Sequence, residues 1–195
     1  MGRSATIERD TKETSIRLTL NLDGDGVVEA VTGVPFFDHM LSALCRHATF
    51  DLKLDAVGDL AVDAHHTVED CGICIGSAIA KSLGDCCGIR RFGDAAVPMD
   101  EALVLAAVDI SGRGHLVWDV TLPIELIGTF DTTLAEEFMR ALATNAGITL
   151  NVRSLAGSNA HHIVEAAFKA VARALREAVE ADPRVKGVPS TKGTL

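Results

Sequence analysis

Two features are missing from this sequence: a long apolar run and a surplus of basic residues. No segment approaches the roughly 20 consecutive apolar residues that a membrane-spanning helix needs, and the charged start MGRSATIERD is unlike a signal peptide. The chain has 18 Lys and Arg against 27 Asp and Glu, a net charge of −9. Because nucleic-acid partners require basic surfaces, the sequence predicts a cytoplasmic protein that binds neither membrane nor nucleic acid.

Cysteine is scarce and unevenly placed. The five cysteines lie at positions 45, 71, 74, 86 and 87, and an odd number cannot all pair. They cluster instead of framing loops, which fits a reducing compartment. Cys71 and Cys74 form a CxxC, but a second such pair is missing. We therefore interpret these two as small buried residues and give a redox or zinc role less weight.

What the sequence does contain is one histidine motif in two copies. Residues 64–69 read Ala-His-His-Thr-Val-Glu, and residues 160–165, 96 positions later, read Ala-His-His-Ile-Val-Glu. On a helix, positions i and i+3 or i+4 share a face, so a histidine of each copy can point the same way as its glutamate. Adjacent histidines are turned about 100° apart and can serve two metal ions. A single pair could be a surface or capping feature, but the same register twice predicts metal ligation.

The chain around the motifs repeats as well, which identifies a further pair of positions. Residues 13–24 align with 101–112 at an offset of 88, and residues 39–44 align with 137–142 at an offset of 98. Glu137 therefore takes the place of His39, and both residue types ligate metals. The alternative, a solvated helix residue at 137, stays open at this point.

Periodicity assigns strands and helices to each half. In the first half the predicted strands are 6–20, 27–31, 50–57 and 59–62, with a hairpin turn at 23–26, and the predicted helices are 39–47 and 64–84. The second half repeats this order and ends in a helix at 160–181. The predicted fold class is α+β and internally duplicated: residues 6–92 and 93–182 each form a four-stranded sheet packed with two helices, and residues 183–195 form a tail.

The candidate ligands are too many for one catalytic ion. They are His39, His65, His66, Glu69, Glu137, His161, His162 and Glu165. Mixed imidazole and carboxylate ligation fits a binuclear site of Mn²⁺, Fe²⁺, Co²⁺ or Zn²⁺, and spacing alone does not choose among them. Because the copies are related by a repeat, they could also meet across a subunit interface, each site drawing ligands from two chains.

Basic residues are few, so their positions are informative. Arg91 lies at the junction of the halves, Arg113 follows a Ser-Gly turn, Lys169 lies eight residues past His161, and Lys192 is in the tail. Singly, each could be a solvated charge. Together with the metal motifs they predict an anionic substrate, to which Arg gives bidentate phosphate contacts and Lys a point charge.

Six motifs, in order along almost the whole chain, resemble one family. They are Phe36-Phe-Asp-His-Met-Leu41, Ala64-His-His-Thr-Val-Glu-Asp70, Arg91-Phe-Gly-Asp94, Asp109-Ile-Ser-Gly-Arg113, Asn159-Ala-His-His-Ile-Val-Glu165 and Pro189-Ser-Thr-Lys-Gly193. The sequence thereby resembles the imidazoleglycerol-phosphate dehydratases of histidine biosynthesis. The resemblance implies a fold of the ribosomal protein S5 domain 2-like type, two Mn²⁺ per active site between subunits, and a shell of 24 subunits.

The resemblance also implies the reaction and the residue roles. The reaction is the dehydration of D-erythro-imidazoleglycerol phosphate to imidazole-acetol phosphate. By motif, the seven histidine and glutamate ligands other than Glu137 match metal ligands, and Glu13 matches an acid/base residue. Residues matched to substrate contacts are Glu13, His47, Arg91, Arg113, Lys169, Ser190 and Lys192. Many relatives carry His at 137, so Glu137 departs from the ligand set of the family. Asn151 and Gly114 replace a common His and a common Pro. Neither is one of the matched site residues, so we expect activity to survive these two departures.

Physical chemistry makes this reaction suitable for a binuclear site. The proton to be removed is not next to a carbonyl, so a carboxylate base alone faces a poor acid. Metal coordination would stabilise the substrate imidazolate, which can expel the adjacent hydroxyl, and Glu13 could then move the proton. Two alternatives remain: a binuclear metal hydrolase of a small phosphate ester, and a non-catalytic metal-binding shell protein.

Overall fold

The computed structural model describes residues 2–123 and 125–195, which contain ten strands and four helices. The elements of the first half are β1 (Ser4–Asp10), β2 (Thr14–Asn21), β3 (Val28–Val31), α1 (Pro35–Ala48), β4 (Asp51–Gly58) and α2 (His65–Leu83). Those of the second half are β5 (Phe92–Met99), β6 (Ala102–Asp109), β7 (His115–Asp119), β8 (Leu126–Ile127), β9 (Phe130–Asp131), α3 (Leu134–Ala146), β10 (Thr149–Ala156) and α4 (Ala160–Val179).

Each half forms one four-stranded sheet, and the two sheets have the same topology. The strand orders are β1-β2-β4-β3 and β5-β6-β10-β7, in which only the last pair of each sheet is parallel. Strands β8 and β9 form a separate short hairpin. The internally duplicated α+β fold predicted from the sequence is confirmed, including the offsets of 88 between β2 and β6 and 98 between β4 and β10.

Three details of the first sheet differ from the sequence-based prediction. The segment 6–20 is not one strand but the hairpin of β1 and β2. Residues 8–15 read ERDTKETS, so neither Gly nor Pro marks the turn at 11–13. Residues 59–62 form a turn, closed by Val62 N–H donating to the Asp59 carbonyl (2.7 Å), so β1 supplies the fourth strand.

The predicted hairpin around residues 23–26 is also wrong. Strand β3 pairs with β4 and not with β2. The Asp51 carboxylate explains this crossover, since its Oδ1 accepts the backbone N–H groups of Asp25 and Val27, both at 2.9 Å. These bonds carry the chain past the end of β2 to the far side of β4.

The helices lie between the two sheets and join the halves. Helix α2 packs on α3, and α1 packs on α4, so each contact pairs a helix of one half with a helix of the other. The α2–α3 approach is close: a Cβ added to Gly76 would lie 2.6 Å from the carbonyl oxygen of Leu142. At the centre, the phenylalanine rings of Phe37, Phe138 and Phe168 are fully buried in contact with one another.

Helices α2 and α4 end at, or within two residues of, their predicted ends. Gly84, with φ 57°, is the C-cap of α2, as predicted. Helix α4 ends at Val179, two residues before the predicted end. The tail then returns along the molecule, and Gly88 N–H donates to the Gly187 carbonyl (2.9 Å). Within the described residues, none of the helices has the length and apolar content that crossing a bilayer requires.

Candidate metal and substrate site

Three predicted ligands converge although they come from different halves. His39 lies in α1, and His161 and Glu165 lie one turn apart at the start of α4. His39 Nε2 is 3.3 Å and His161 Nε2 is 3.1 Å from Glu165 Oε2. One ligand atom from each residue lies within 4.8 Å of the others, which is the spacing of a metal-binding group. The packing of α1 on α4 creates this cluster.

Glu165 is the buried member of the cluster, with 7% of its surface exposed. Its Oε1 accepts from Lys169 Nζ at 2.8 Å, one turn further along α4. Burial alone would raise the pKa of Glu165, but the Lys169 ammonium and the two imidazoles outweigh it, so the pKa lies below its usual value. Glu165 is therefore held as a carboxylate, the form that ligates a metal ion.

His47, a predicted substrate contact, lies in the last turn of α1. Desolvation lowers the pKa of His47, and the positive charges of Lys169 and Arg173 lower it further. Lys169 thus faces both the metal cluster and His47. This places two of the predicted substrate contacts beside the cluster of His39, His161 and Glu165.

The matching residues of the first half are less closely grouped. His65 Nε2 lies 3.7 Å from Glu69 Oε2, one turn along α2. Glu137 lies on α3, the helix packed against α2, as His39 lies on the helix packed against α4. Its nearest charged partner is Arg140, at 3.9 Å. The structure therefore gives Glu137 the position expected from the repeat but does not bring it into the cluster with His65 and Glu69.

The other histidine of each pair points to a different carboxylate. His66 Nδ1 lies 3.0 Å from Asp59 Oδ2, and His162 Nδ1 lies 2.7 Å from Glu101 Oε2. An ionised carboxylate only accepts hydrogen bonds, so the proton of each neutral ring is on Nδ1 and the Nε2 lone pair is free to bind a metal. These hydrogen bonds also raise the pKa of His66 and of His162.

Glu13 and Glu101 are equivalent in the repeat but have different surroundings. Glu101 accepts from the His162 ring and from the backbone N–H groups of Ser158 and Asn159, which lowers its pKa to about 2. Glu13 lies in the β1–β2 turn with a half-exposed side chain, and its Oε2 is 3.9 Å from His66 Nε2. The Glu101 carboxylate is thus occupied by hydrogen bonds, whereas the Glu13 carboxylate is exposed beside His66 Nε2.

The backbone of each histidine pair is held by a polar side chain that precedes its helix. Asn159 is the N-cap of α4, and its Oδ1 accepts from His162 N–H at 3.2 Å. Asp63 Oδ1 accepts from His65 N–H at 2.7 Å at the start of α2. Both histidine pairs therefore lie in the first helical turn, at the edge of the core.

The predicted phosphate contacts form a second group, made by the half-to-half junction and the tail. Arg91 makes a two-pronged contact with Asp109, with Nε 2.8 Å from Oδ1, and its Nη1 donates to the Pro189 carbonyl at 2.8 Å. Ser190 and Lys192 follow in the same tail, joined by the Lys192 N–H bond to Ser190 Oγ (3.2 Å). The last residue, Leu195, lies against Gly112, the neighbour of Arg113.

This second group is far from the metal cluster of the same chain. Arg91 N–H donates to the Ala178 carbonyl at the end of α4, whereas His161 is in the first turn of that helix. At the rise of an α-helix, the distance along α4 between Ala178 and His161 is about 25 Å. One small substrate cannot span this distance.

A cavity of about 450 Å³ lies beside His65. Asp63 and Asp131 line it, together with apolar residues that include Leu60 and Leu134, and His65 is its only lining residue that can carry a positive charge, since no Lys or Arg lines it. A phosphate group requires positive charge or N–H donors. The cavity is therefore unsuited to hold the anionic end of a substrate by itself.

Sequence reasoning missed two residues of the site, Asp59 and Glu101. Asp59 had been assigned to a strand, and nothing in its neighbours indicated a contact with His66. Glu101 carried a signal, since it aligns with Glu13, but the alignment gives equivalent backbone positions and not the partners of the side chains.

Comparisons with known proteins identify the family of this chain. The family model described as imidazoleglycerol-phosphate dehydratase matches residues 32–175. The protein of that name from Moorella thermoacetica is 58% identical over 195 residues, which covers 100% of both chains. The one from Dinoroseobacter shibae is 59% identical over 194 residues, covering 99% of this chain and 100% of that protein.

Solved structures give the same result. The crystal structure of imidazoleglycerol-phosphate dehydratase from Staphylococcus aureus matches with a TM-score of 0.83 and 38% identity, covering 91% of this chain and 99% of that one. The structure from Pyrococcus furiosus, in complex with (S)-C348, has a TM-score of 0.83 and 39% identity and covers 97% and 100%. This chain therefore belongs to the imidazoleglycerol-phosphate dehydratase family.

Proposed function

We propose that this chain dehydrates imidazoleglycerol phosphate to imidazole-acetol phosphate at sites completed by two Mn²⁺ ions and by residues of neighbouring subunits. The dehydratase activity, that of a hydro-lyase in histidine biosynthesis, follows from membership of the family. The metal, the residue roles and the assembly are the proposal. The observation that carries it is the convergence of His39, His161 and Glu165.

The donor set fits Mn²⁺. Two imidazole nitrogens and one carboxylate oxygen suit a divalent transition metal and leave positions open for a substrate. His65 and Glu69, which lie 3.7 Å apart, would hold the second ion, and the Nε2 atoms of His66 and His162 would add further imidazole ligands. Glu137 is a candidate ligand from its place in the repeat alone. The chemistry supplied by bound Mn²⁺ is Lewis acidity toward the substrate's imidazole ring, which favours the ring's anionic form.

Glu13 is suited to move the proton. Its carboxylate lies 3.9 Å from His66 Nε2, and 56% of its side chain is exposed. Within residues 2–123 and 125–195 its carboxylate accepts no hydrogen bond, so it is available to take a proton from the substrate carbon. Glu101, its counterpart in the repeat, is engaged with His162 and cannot do so.

Subunit contacts complete the site, because the tail cannot reach the metal cluster of its own chain. Arg91, Arg113, Ser190 and Lys192 hold the phosphate of a substrate whose imidazole is bound by another subunit. Lys169 and His47 add positive charge or donors beside the metal cluster. In a closed symmetric assembly, each subunit contributes metal ligands to one site and phosphate contacts to a neighbouring site. The assembly that we propose is a shell of 24 subunits.

Location in the cytoplasm is part of the proposal. All five cysteines are free, and three of them, Cys45, Cys71 and Cys74, are buried. Free thiols persist in reducing compartments, which supports this location.

The experiment that tests the function combines metal content with turnover. Elemental analysis should give about two Mn per chain, in line with the eight candidate ligands, and a chelator should remove both the metal and the dehydration activity. Native mass spectrometry with and without Mn²⁺ should show metal-dependent growth of the assembly. Release of inorganic phosphate would instead favour the hydrolase, and metal uptake without turnover would favour the non-catalytic shell.

A further inference from the structure

A buried polar network connects the β1–β2 hairpin to α2. Asp70 is 7% exposed and Thr14 is 3% exposed. Asp70 Oδ1 accepts from Arg9 Nε at 2.9 Å, and its Oδ2 accepts from Thr14 Oγ1 at 2.5 Å. Asp70 directly follows Glu69, so one end of the network is fixed to the helix that carries the first histidine motif.

The other end of the network reaches the turn that carries Glu13. Thr11 Oγ1 accepts the backbone N–H of Glu13 at 3.1 Å and that of Thr14 at 2.9 Å. Thr11 Oγ1 also lies 3.2 Å from Thr14 Oγ1, the hydroxyl that donates to Asp70. A continuous chain of hydrogen bonds therefore runs from Asp70 through Thr14 and Thr11 to the backbone of Glu13.

The second half provides an internal comparison, because it builds the same fold without this network. By the offsets of 88 and 96, Arg9, Thr11, Thr14 and Asp70 correspond to Val97, Met99, Ala102 and Ala166. Val97, Ala102 and Ala166 are buried in the core. Val97 has the same strand register as Arg9, and Ala166 lies on α4 where Asp70 lies on α2. Apolar residues thus suffice to hold a hairpin against a helix at this place.

The Arg9–Asp70 ion pair is a weak way to stabilise a hairpin: the Arg9 side chain is 37% exposed, so solvent screens the attraction, and the burial of Asp70 costs hydration. The half that keeps the pair is the half whose turn glutamate is free to react. In the apolar half, Glu101 is held instead by His162 and two backbone N–H groups. The network is therefore attached to the turn of Glu13, whose carboxylate accepts no hydrogen bond within the described residues, and its counterpart is missing at the turn of Glu101, whose carboxylate is held by hydrogen bonds.

We propose that Asp70, with Arg9 and Thr14, is a positioning device that fixes the Glu13 turn relative to the metal-binding histidines of α2. Asp70 does not touch the substrate and acts through the backbone of Glu13. This inference rests on the proposed role of Glu13 in proton transfer.

The test transplants the apolar set of the second half into the first. The variant Arg9→Val, Thr14→Ala, Asp70→Ala should fold, because the corresponding residues already pack in this arrangement. We expect Mn content and assembly to be unchanged, KM to stay within about twofold, and kcat to fall by about 10- to 100-fold, the loss that a misplaced catalytic group produces. The matched control is Glu8→Ala, Arg17→Ala, which removes an exposed ion pair (2.9 Å) of the same hairpin and should leave kcat unchanged.

Combination with Glu13→Gln separates positioning from general damage. If the network acts through Glu13, adding the triple substitution to Glu13→Gln should cause no further loss of kcat. An equal further loss in that background would overturn the inference. If Glu13→Gln by itself kept full turnover, the proposed role of Glu13 would fall, whereas a fully active triple variant beside an inactive Glu13→Gln would overturn only the role of Asp70.

Hydrogen exchange gives a readout that does not depend on turnover. In the triple variant the amides of Glu13 and Thr14 should exchange faster than in the unaltered protein, because Thr11 Oγ1, which accepts from both amides, loses its contact with the Thr14 hydroxyl and so its link to Asp70. Amides of α2 after His66 should exchange at unchanged rates. Unchanged exchange at the turn would contradict the inference, and Asp70→Asn, which keeps the side-chain volume, repeats the measurement if the triple variant is unstable.

Discussion

Glu101 illustrates how a single residue determines the tautomer of a proposed metal ligand. Its carboxylate accepts from His162 Nδ1 at 2.7 Å, which leaves the Nε2 lone pair of that ring for the proposed metal ion. We expect Glu101→Ala to weaken Mn²⁺ binding by about 10- to 100-fold, the usual cost of losing a hydrogen-bond partner of a ligating histidine. Equilibrium dialysis followed by elemental analysis measures this affinity directly.

The control for this substitution is Glu29→Ala, which removes an exposed carboxylate on β3 that lies 3.5 Å from Lys53. Its Mn²⁺ affinity should equal that of the unaltered protein. An affinity of Glu101→Ala within twofold of the control would show that His162 does not need this hydrogen bond to bind metal.

The cysteines illustrate the opposite case, in which burial makes residues inert. Burial raises the pKa of Cys45 to about 12 and that of Cys74 to about 11. Because the thiolate is the reactive form, these two cysteines should not react with an alkylating reagent at pH 8, and the thiolate would form only at much higher pH. Cys87 is exposed, so it should react. The hydrogen bond with Asp85 raises the pKa of Cys87, so its rate of reaction should keep rising with pH beyond the usual thiol range. Mass spectrometry of the labelled protein identifies the modified residues.

A companion variant tests whether the CxxC has a redox role. Cys71→Ala, Cys74→Ala should keep the dehydration activity, since both side chains are fully buried in the core and Ala retains an apolar character. Loss of activity in a variant that still binds metal and assembles would revive the redox interpretation.

At the scale of elements, the α2–α3 contact determines how the two halves fit together. Ala normally stabilises a helix by about 1 kcal/mol relative to Gly, but a Cβ at Gly76 would lie 2.6 Å from Leu142 O and 2.9 Å from Ala146 N. We expect Gly76→Ala to destabilise the protein by about 1–3 kcal/mol, the range for overpacked cores. Thermal unfolding should show a lower midpoint. Lys81→Ala, at an exposed position of the same helix, should change it little, and a raised midpoint for Gly76→Ala would contradict the close approach.

Element order was predictable from the sequence where residues repeat, and not where pairing depends on distant groups. The offsets correctly placed β6, α3, β10 and α4 relative to the first half. The crossover to β3 could not be predicted, because it depends on the side chain of Asp51, which lies 24 residues after Val27. The turn between β1 and β2 was hidden because residues 8–15 are all polar and contain neither Gly nor Pro to mark it.

For the candidate site, too, the residues could be predicted from the sequence, whereas the contacts that depend on helix packing could not. The motifs identified every histidine and glutamate that the structure brings to the cluster of His39, His161 and Glu165. They could not show that His39 joins the motif of the other half, since this follows from the packing of α1 on α4. The ligand role of Glu137 stays a prediction that only a bound metal can test.

At the scale of the whole molecule, the separation of the tail from the metal cluster makes a prediction about mixed assemblies. Lys192→Ala removes a proposed phosphate contact, and His161→Ala removes a proposed ligand, so each variant alone should have little activity. If one chain supplies the metal ligands and another the tail, an assembly of both variants contains some sites in which each chain contributes its intact part.

Coexpression of the two variants in equal amounts should therefore restore activity, up to about a quarter of the sites when two chains form each site at random. The material should be purified through a different tag on each chain, so that only mixed assemblies are assayed. The control is a mixture of Lys192→Ala with Arg113→Ala, which damages the same group and should restore nothing. Mixed assemblies of Lys192→Ala and His161→Ala that stay as inactive as either variant would mean that the tail and the metal cluster of one chain serve the same site, which the length of α4 argues against.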